Sequence, residues 1–145
     1  MPPRVEPPTL TVVRLYRALE RASGDCALSL PQYRILGLLA DGTARASNLA
    51  ARLSVTKPTV TALLDGLVDR GYVTREAATT DRRAITVAIT DAGRAAVTSM
   101  DDALREHLDE IVGRCPDPDA VYAALSQLAG ALDVWFAEQI ARAAR

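Results

Sequence analysis

TTDRRAITVAIT, residues 79–90, is the stretch whose reading decides the fold. Two adjacent arginines follow an aspartate, and Ile85, Val87 and Ile89 then alternate with Thr86 and Ala88. Alternation at period two marks a half-buried strand. Nearly all of the remaining chain spaces its apolar residues at helical period. The expectation is a mostly helical protein that builds one short hairpin and sets charge at its tip.

Four helices are expected upstream of the hairpin. The first covers residues 9–23, with Leu10, Val13, Tyr16 and Leu19 in an apolar stripe and Gly24 as its stop. In LSLPQYRILGLLA, residues 28–40, Ser29 is the expected N-cap and Pro31 falls in the first turn. That helix ends at Asp41 and Gly42. SNLAARLS, residues 47–54, is a short third helix capped by Ser47. The fourth starts with Ser54 or Thr56 as cap and Pro58 in its first turn, turns Val60, Leu63, Leu64, Leu67 and Val68 inward, and stops at Gly71. Downstream, Thr90 caps a long helix from about residue 91 to 112. Cys115 to Pro118 breaks the chain before a last helix carrying Val121, Leu125, Leu128, Leu132 and Trp135 along one side.

Two short helices joined by a tight turn match the helix-turn-helix pattern. The second begins with Ser54, Thr56, Lys57, Thr59 and Thr61, residue types that reach base edges in a major groove. Ser, Thr and Pro also start ordinary helices, so the cluster alone leaves both readings open. The hairpin separates them. A strand pair directly after a recognition helix is a wing, and a narrow minor groove attracts inserted arginine. Arg82 and Arg83 at the tip, with Arg75 on the preceding strand, supply that charge. Asp81 is placed to orient one of the arginines through paired guanidinium bonds.

The segments at residues 28–40, 47–73 and 81–93 together resemble the MarR (multiple antibiotic resistance regulator) family of winged-helix transcription factors. The resemblance implies a mainly α fold with a small β-hairpin wing. It implies one MarR-like domain over residues 1–145, with a winged helix-turn-helix lobe at about 28–92. Dimerisation helices are implied at about 9–24 and 93–145. The family's wing arginine falls on Arg83, with Arg82 as neighbour, and Pro58 lies within the DNA-binding set. The resemblance also implies a homodimer on a pseudo-palindromic operator of double-stranded DNA. Such a dimer represses a promoter until a small ligand or an oxidant lowers its affinity. A phenolic or other aromatic effector wants an arginine and an aromatic wall, and Arg14, Tyr16, Tyr33 and Arg34 are the candidates.

Composition bounds the alternatives. The chain has 145 residues and a formal net charge of −1, so any basic surface for nucleic acid is local. Cys26 and Cys115 are too few for a disulfide framework, and a cytoplasmic location is expected. No apolar run is expected to approach a membrane span, and MPPRVEPPTL reads as a proline-rich arm rather than a signal peptide. One histidine, His107, and two remote cysteines give no zinc-ligand spacing, no phosphate loop is present, and no enzyme or cofactor is expected. Two alternatives stand beside the repressor. One is a thiol-based redox sensor using Cys26, although Asp25 beside it works against a lowered thiol pKa. The other is a winged-helix module that binds protein instead of DNA, which would be expected to lack the tip arginines.

Overall fold

The computed structural model describes residues 6–40, 42–77 and 85–143. Helix α1 spans Pro8–Ala22 and passes into a 3-10 turn over Ser23–Asp25 that contains Gly24. Helix α2, Leu30–Leu39, opens with a complete capping box. Ser29 Oγ accepts from the Gln32 backbone N–H at 3.3 Å, and Gln32 Oε1 accepts from the Ser29 N–H at 3.1 Å. Strand β1, Ala44–Arg45, leads into α3, Ala46–Leu53, and α4 follows at Lys57–Asp69. Strands β2, Val73–Ala77, and β3, Ile85–Ile89, form the ribbon, and α5, Asp91–Val112, and α6, Pro118–Ala143, complete the chain.

Local chemistry fixes most of these ends. Thr56 caps α4 by accepting from the Thr59 N–H. At the far end Gly71 takes a left-handed φ of 73°. Its N–H bonds Val68 O while the Tyr72 N–H bonds Leu67 O, the pairing that satisfies orphan carbonyls at a helix C-terminus. Thr90 then fastens the exit of the ribbon. Its hydroxyl donates to Gly71 O at 2.7 Å and accepts from the Gly93 N–H at 3.1 Å, and its own N–H donates to Tyr72 O at 3.0 Å.

Two expectations are corrected. Helix α3 begins at Ala46 with Arg45 as an extended N-cap and no side-chain cap, so Ser47 lies inside the helix. The reason is β1. Ala44 and Arg45 pair with Val87 and Thr86, giving an antiparallel sheet ordered β1-β3-β2, and the strand runs directly into the helix. A two-residue strand has no period to read. The second correction is Ser54, which does not cap α4. It adopts φ 55° and ψ 41° as the left-handed residue that closes α3, with the Val55 N–H on Ala50 O. A left-handed residue other than glycine costs about 1–2 kcal/mol. Ser54→Gly is therefore expected to raise stability by about 1 kcal/mol in urea denaturation. An unchanged or lowered midpoint would show that the serine side chain offsets the backbone strain.

The core lies in the central lobe. Ile35, Leu36 and Leu39 of α2, Leu49 of α3, and Val60 and Leu67 of α4 are fully buried. They are joined by Val73 and Val87 from the ribbon and by Met100 from α5. The terminal helices contrast with this. No residue of α1 is buried, and Leu10, Val13 and Tyr16 of the expected stripe are about half exposed. None of residues 118–142 of α6 is buried either, with Leu128, Leu132, Val134 and Trp135 exposed. By length and composition α6 could cross a membrane, which corrects the expectation that no run approaches a span. It also carries Asp119, Asp133, Glu138 and Arg142.

Candidate nucleic-acid interface

The turn from α3 to α4 puts residues 54–59 at the surface, every one of them exposed. Val60, Leu64 and Leu67 anchor α4 in the core, so Pro58, Thr61, Ala62 and Asp65 form its outward stripe at helical spacing. The three threonine hydroxyls on this surface are already engaged. Thr56 and Thr59 share a hydrogen bond of 2.8 Å, and Thr61 Oγ1 donates to Lys57 O at 3.0 Å. Lys57 extends from the first helical position.

Arg75 sits on β2 opposite Val87, and its guanidinium engages the Asp65 carboxylate of α4. The arginine expected to add positive charge to the wing is thus paired across the helix–ribbon junction. Both side chains are about half exposed, so the pair itself contributes little to stability. Asp65 was not visible as a partner in the sequence. Ten residues of helix, turn and strand separate it from Arg75, and only the fold brings them together. The final registered pair of the ribbon is Ala77 with Ile85. Asp81, Arg82 and Arg83 fall in the connection between them and lie outside the described residues.

The four candidates for an effector site do not converge on one cavity. Arg14 lines a cleft of about 440 Å³ between α1, the end of α5 and the start of α6, where its Nη1 donates to Glu6 Oε2 at 2.6 Å. Arg34 lines a second cleft between α2, α3 and the C-terminal half of α6, together with Arg52 and Asp133. Tyr16 stands exposed on α1. Tyr33 packs against the core and donates its hydroxyl to Asp101 Oδ1 of α5 at 2.9 Å.

Asp101 also accepts from Arg105 at 2.8 Å. Arg105, and then Tyr33, hold its carboxyl below the usual range. Burial first, and then the bond to Asp101, push the Tyr33 phenol from 10.0 up to about 12. A raised phenol pKa stabilises the fold fully below pH 10, and that stability is lost as pH climbs from 10 towards 12. The lowered Asp101 acts at the other end, losing its contribution as pH falls through the acid range. Tyr33→Phe is expected to cost about 1 kcal/mol at neutral pH, discounted for partial exposure, and to flatten the alkaline loss. Urea midpoints measured between neutral pH and pH 12 would check this, and a parallel alkaline decline in both proteins would contradict it.

Cys26 and Cys115 are half-buried and unbridged. Cys26 Sγ lies 3.8 Å from Ala22 O at the end of α1, and Cys115 lines the cleft that holds Arg14. His107 faces solvent on α5 with Nδ1 3.1 Å from Ala103 O. Among the described residues, no group of three or more His, Cys, Asp or Glu side chains is placed to hold a metal.

Comparison with known proteins fits this architecture. A model described as MarR family matches residues 28–84. The HTH-type transcriptional repressor YetL of Bacillus subtilis is 36% identical over 85 residues, covering 57% of this chain and 51% of YetL. The chain thus matches about half of that relative's length. An uncharacterised HTH-type transcriptional regulator of Mycobacterium leprae, ML2140, is 33% identical over 103 residues, covering 70% of this chain and 72% of the relative. The transcriptional repressor CouR, solved with a 23-mer DNA duplex, has the same fold at a TM-score of 0.72 and 24% identity, over 84% of this chain and 87% of CouR.

Proposed function

The chain belongs to the MarR family of helix-turn-helix transcriptional regulators, and on that premise we propose that it acts as a homodimeric repressor of a pseudo-palindromic operator. The observation that carries the dimer is α6, a 26-residue apolar helix with no buried residue in residues 118–142 of the single chain. Exposed apolar surface on this scale marks an interaction site. The exposed stripe of α1 adds to it, and a second copy of this chain supplies a matching two-fold surface. In this reading the lobe is residues 28–92, and residues 9–24 and 93–145 build the dimer. Partner contact, rather than lipid, covers α6, and the protein works in the cytoplasm.

Each lobe sets α4 into a major groove, with half-site centres about 34 Å apart. Ser54, Thr56, Lys57, Pro58, Thr59 and Thr61 face the duplex, and Arg82 and Arg83 enter the flanking minor groove, oriented by Asp81. Arg75 acts from the base of the ribbon, where its pairing with Asp65 makes its contribution indirect. DNA release follows binding of a small aromatic effector. The cleft lined by Arg34, between the lobe and α6, is the place to seek it, with Arg14, Tyr16 and Tyr33 as the remaining candidates.

Wing and helix are separable by salt. Arg83→Ala is expected to weaken operator and scrambled duplexes alike and to lower the logarithmic salt slope by about one unit. Thr59→Ala is expected to cost about 1–3 kcal/mol at particular operator positions and to leave the slope unchanged. Isotherms over a salt series measure both. Parental affinity of Arg83→Ala for both duplexes at every salt would remove the wing from the interface.

A further inference from the structure

The exposed face of helix α4 is defined by what it lacks. The side chains that read guanine or adenine through two bonds are Arg, Lys, Asn and Gln. KPTVTALLDGLVD contains no Arg, Asn or Gln, and its one lysine stands at the first helical position. The outward stripe Pro58, Thr61, Ala62 offers only methyl and methylene groups beyond the Thr61 hydroxyl. That hydroxyl is turned back to Lys57 O at 3.0 Å, so its donor is spent inside the helix. At the edge of the stripe, the Thr56 and Thr59 hydroxyls occupy each other at 2.8 Å. Val55, in the turn just before the helix, is 39% exposed and extends the same apolar character. Asp65, next along the stripe, is engaged by Arg75, which offsets a charge that would repel phosphates.

A surface of methyl groups has one complementary feature in the major groove. Thymine carries a C5-methyl there, and apolar contact from Ala or from a Thr methyl is how proteins detect it. We propose that α4 recognises its half-site chiefly through thymine methyl groups, with Thr61 and Ala62, and the methyl of Thr59 at the edge of the stripe, as the specificity-determining groups and Pro58 and Val55 at the margin. Lys57 then serves the backbone, which carries affinity without sequence information. This inference rests on the DNA-binding reading above and names the class of sequence that reading leaves open: half-sites with thymines at the steps α4 covers.

The test changes the DNA rather than the protein. An operator is first recovered by binding selection from randomised duplexes with the full-length chain. Each thymine is then replaced singly by deoxyuridine, which removes the methyl and keeps the pairing edge. Affinity is expected to fall about fourfold at each contacted thymine, the effect of losing one buried methyl, with no change in salt slope. Thr61→Ser keeps the hydroxyl and loses the methyl, so it is expected to abolish the deoxyuridine effect at one step per half-site while the others persist. Full affinity for an operator whose thymines are all replaced would overturn the proposal and leave the regulator reading intact. So would a selected site whose half-sites are G·C at the steps covered by α4. Selection that recovers no preferred sequence would overturn both.

Discussion

Gly93→Ala is expected to destabilise the lobe by about 3 kcal/mol, the upper range for overpacking a filled site. A Cβ at this position would overlap the Tyr72 carbonyl oxygen and approach Ile89 Cγ1 to 2.8 Å. The carbonyl has little freedom to retreat, because it accepts from the Thr90 N–H at 3.0 Å. Thr90 in turn holds Gly71 O and the Gly93 N–H, so a shift to admit the methyl disturbs three hydrogen bonds at the junction of ribbon and α5. Urea unfolding should show a lower midpoint with an unchanged slope. A midpoint within error of the parent would mean that α5 slides freely over Tyr72.

The larger effect is expected in α6. Leu128 and Leu132 are 49% and 43% exposed in the single chain, so aspartate at both would be close to neutral if the chain worked alone. In the proposed dimer the same substitutions bury carboxylates without partners, at several kcal/mol each. Leu128→Asp combined with Leu132→Asp is therefore expected to move the sedimenting species to that of a single 15.5 kDa chain. Operator affinity is expected to fall more than about a hundredfold, since each lobe then binds one half-site alone. Parental sedimentation in the double variant would detach α6 from the interface.

Legibility followed range along the chain. The caps at Ser29 and Thr90, and Thr56 as one of two alternatives, were readable because each acts on a residue three positions away. The ribbon was readable because Val87 and its neighbours keep period two over five residues. The Gly71 stop needed one residue able to hold a positive φ, and glycine announces that. Ser54 takes the same kind of backbone without announcing it. Strand β1 was hidden because two residues carry no periodicity, and its existence depends on Val87 and Thr86, more than forty positions away.

The site divided along the same line. Thr56, Thr59 and Lys57 belong to one turn of helix, so composition located them together. Tyr33 with Asp101, and Arg75 with Asp65, are partners made only when elements pack, and no spacing rule foretold either. The apolar residues of α6 were readable as a stripe, yet the mean hydropathy of the helix over its length was underestimated. Small residues such as Ala123, Ala124, Ala129 and Ala131 fill the positions between its large ones.

The short pairing of β1 with β3 has a mechanical consequence. Ala44 and Arg45 stand immediately before α3, and their ladder with Val87 and Thr86 welds the first helix of the helix-turn-helix to the ribbon. On the other side, β2 is joined to α4 by the Gly71 turn and by Arg75 on Asp65. The lobe is a closed loop of attachments, with few internal degrees of freedom between α4 and the base of the wing. In the proposed repressor, a bound effector would then have only rigid-body coordinates left to work on. On the proposed dimer it would tilt or translate each lobe against its twin, spoiling the spacing at which two grooves are met together, while each half of the protein kept its own grip geometry intact.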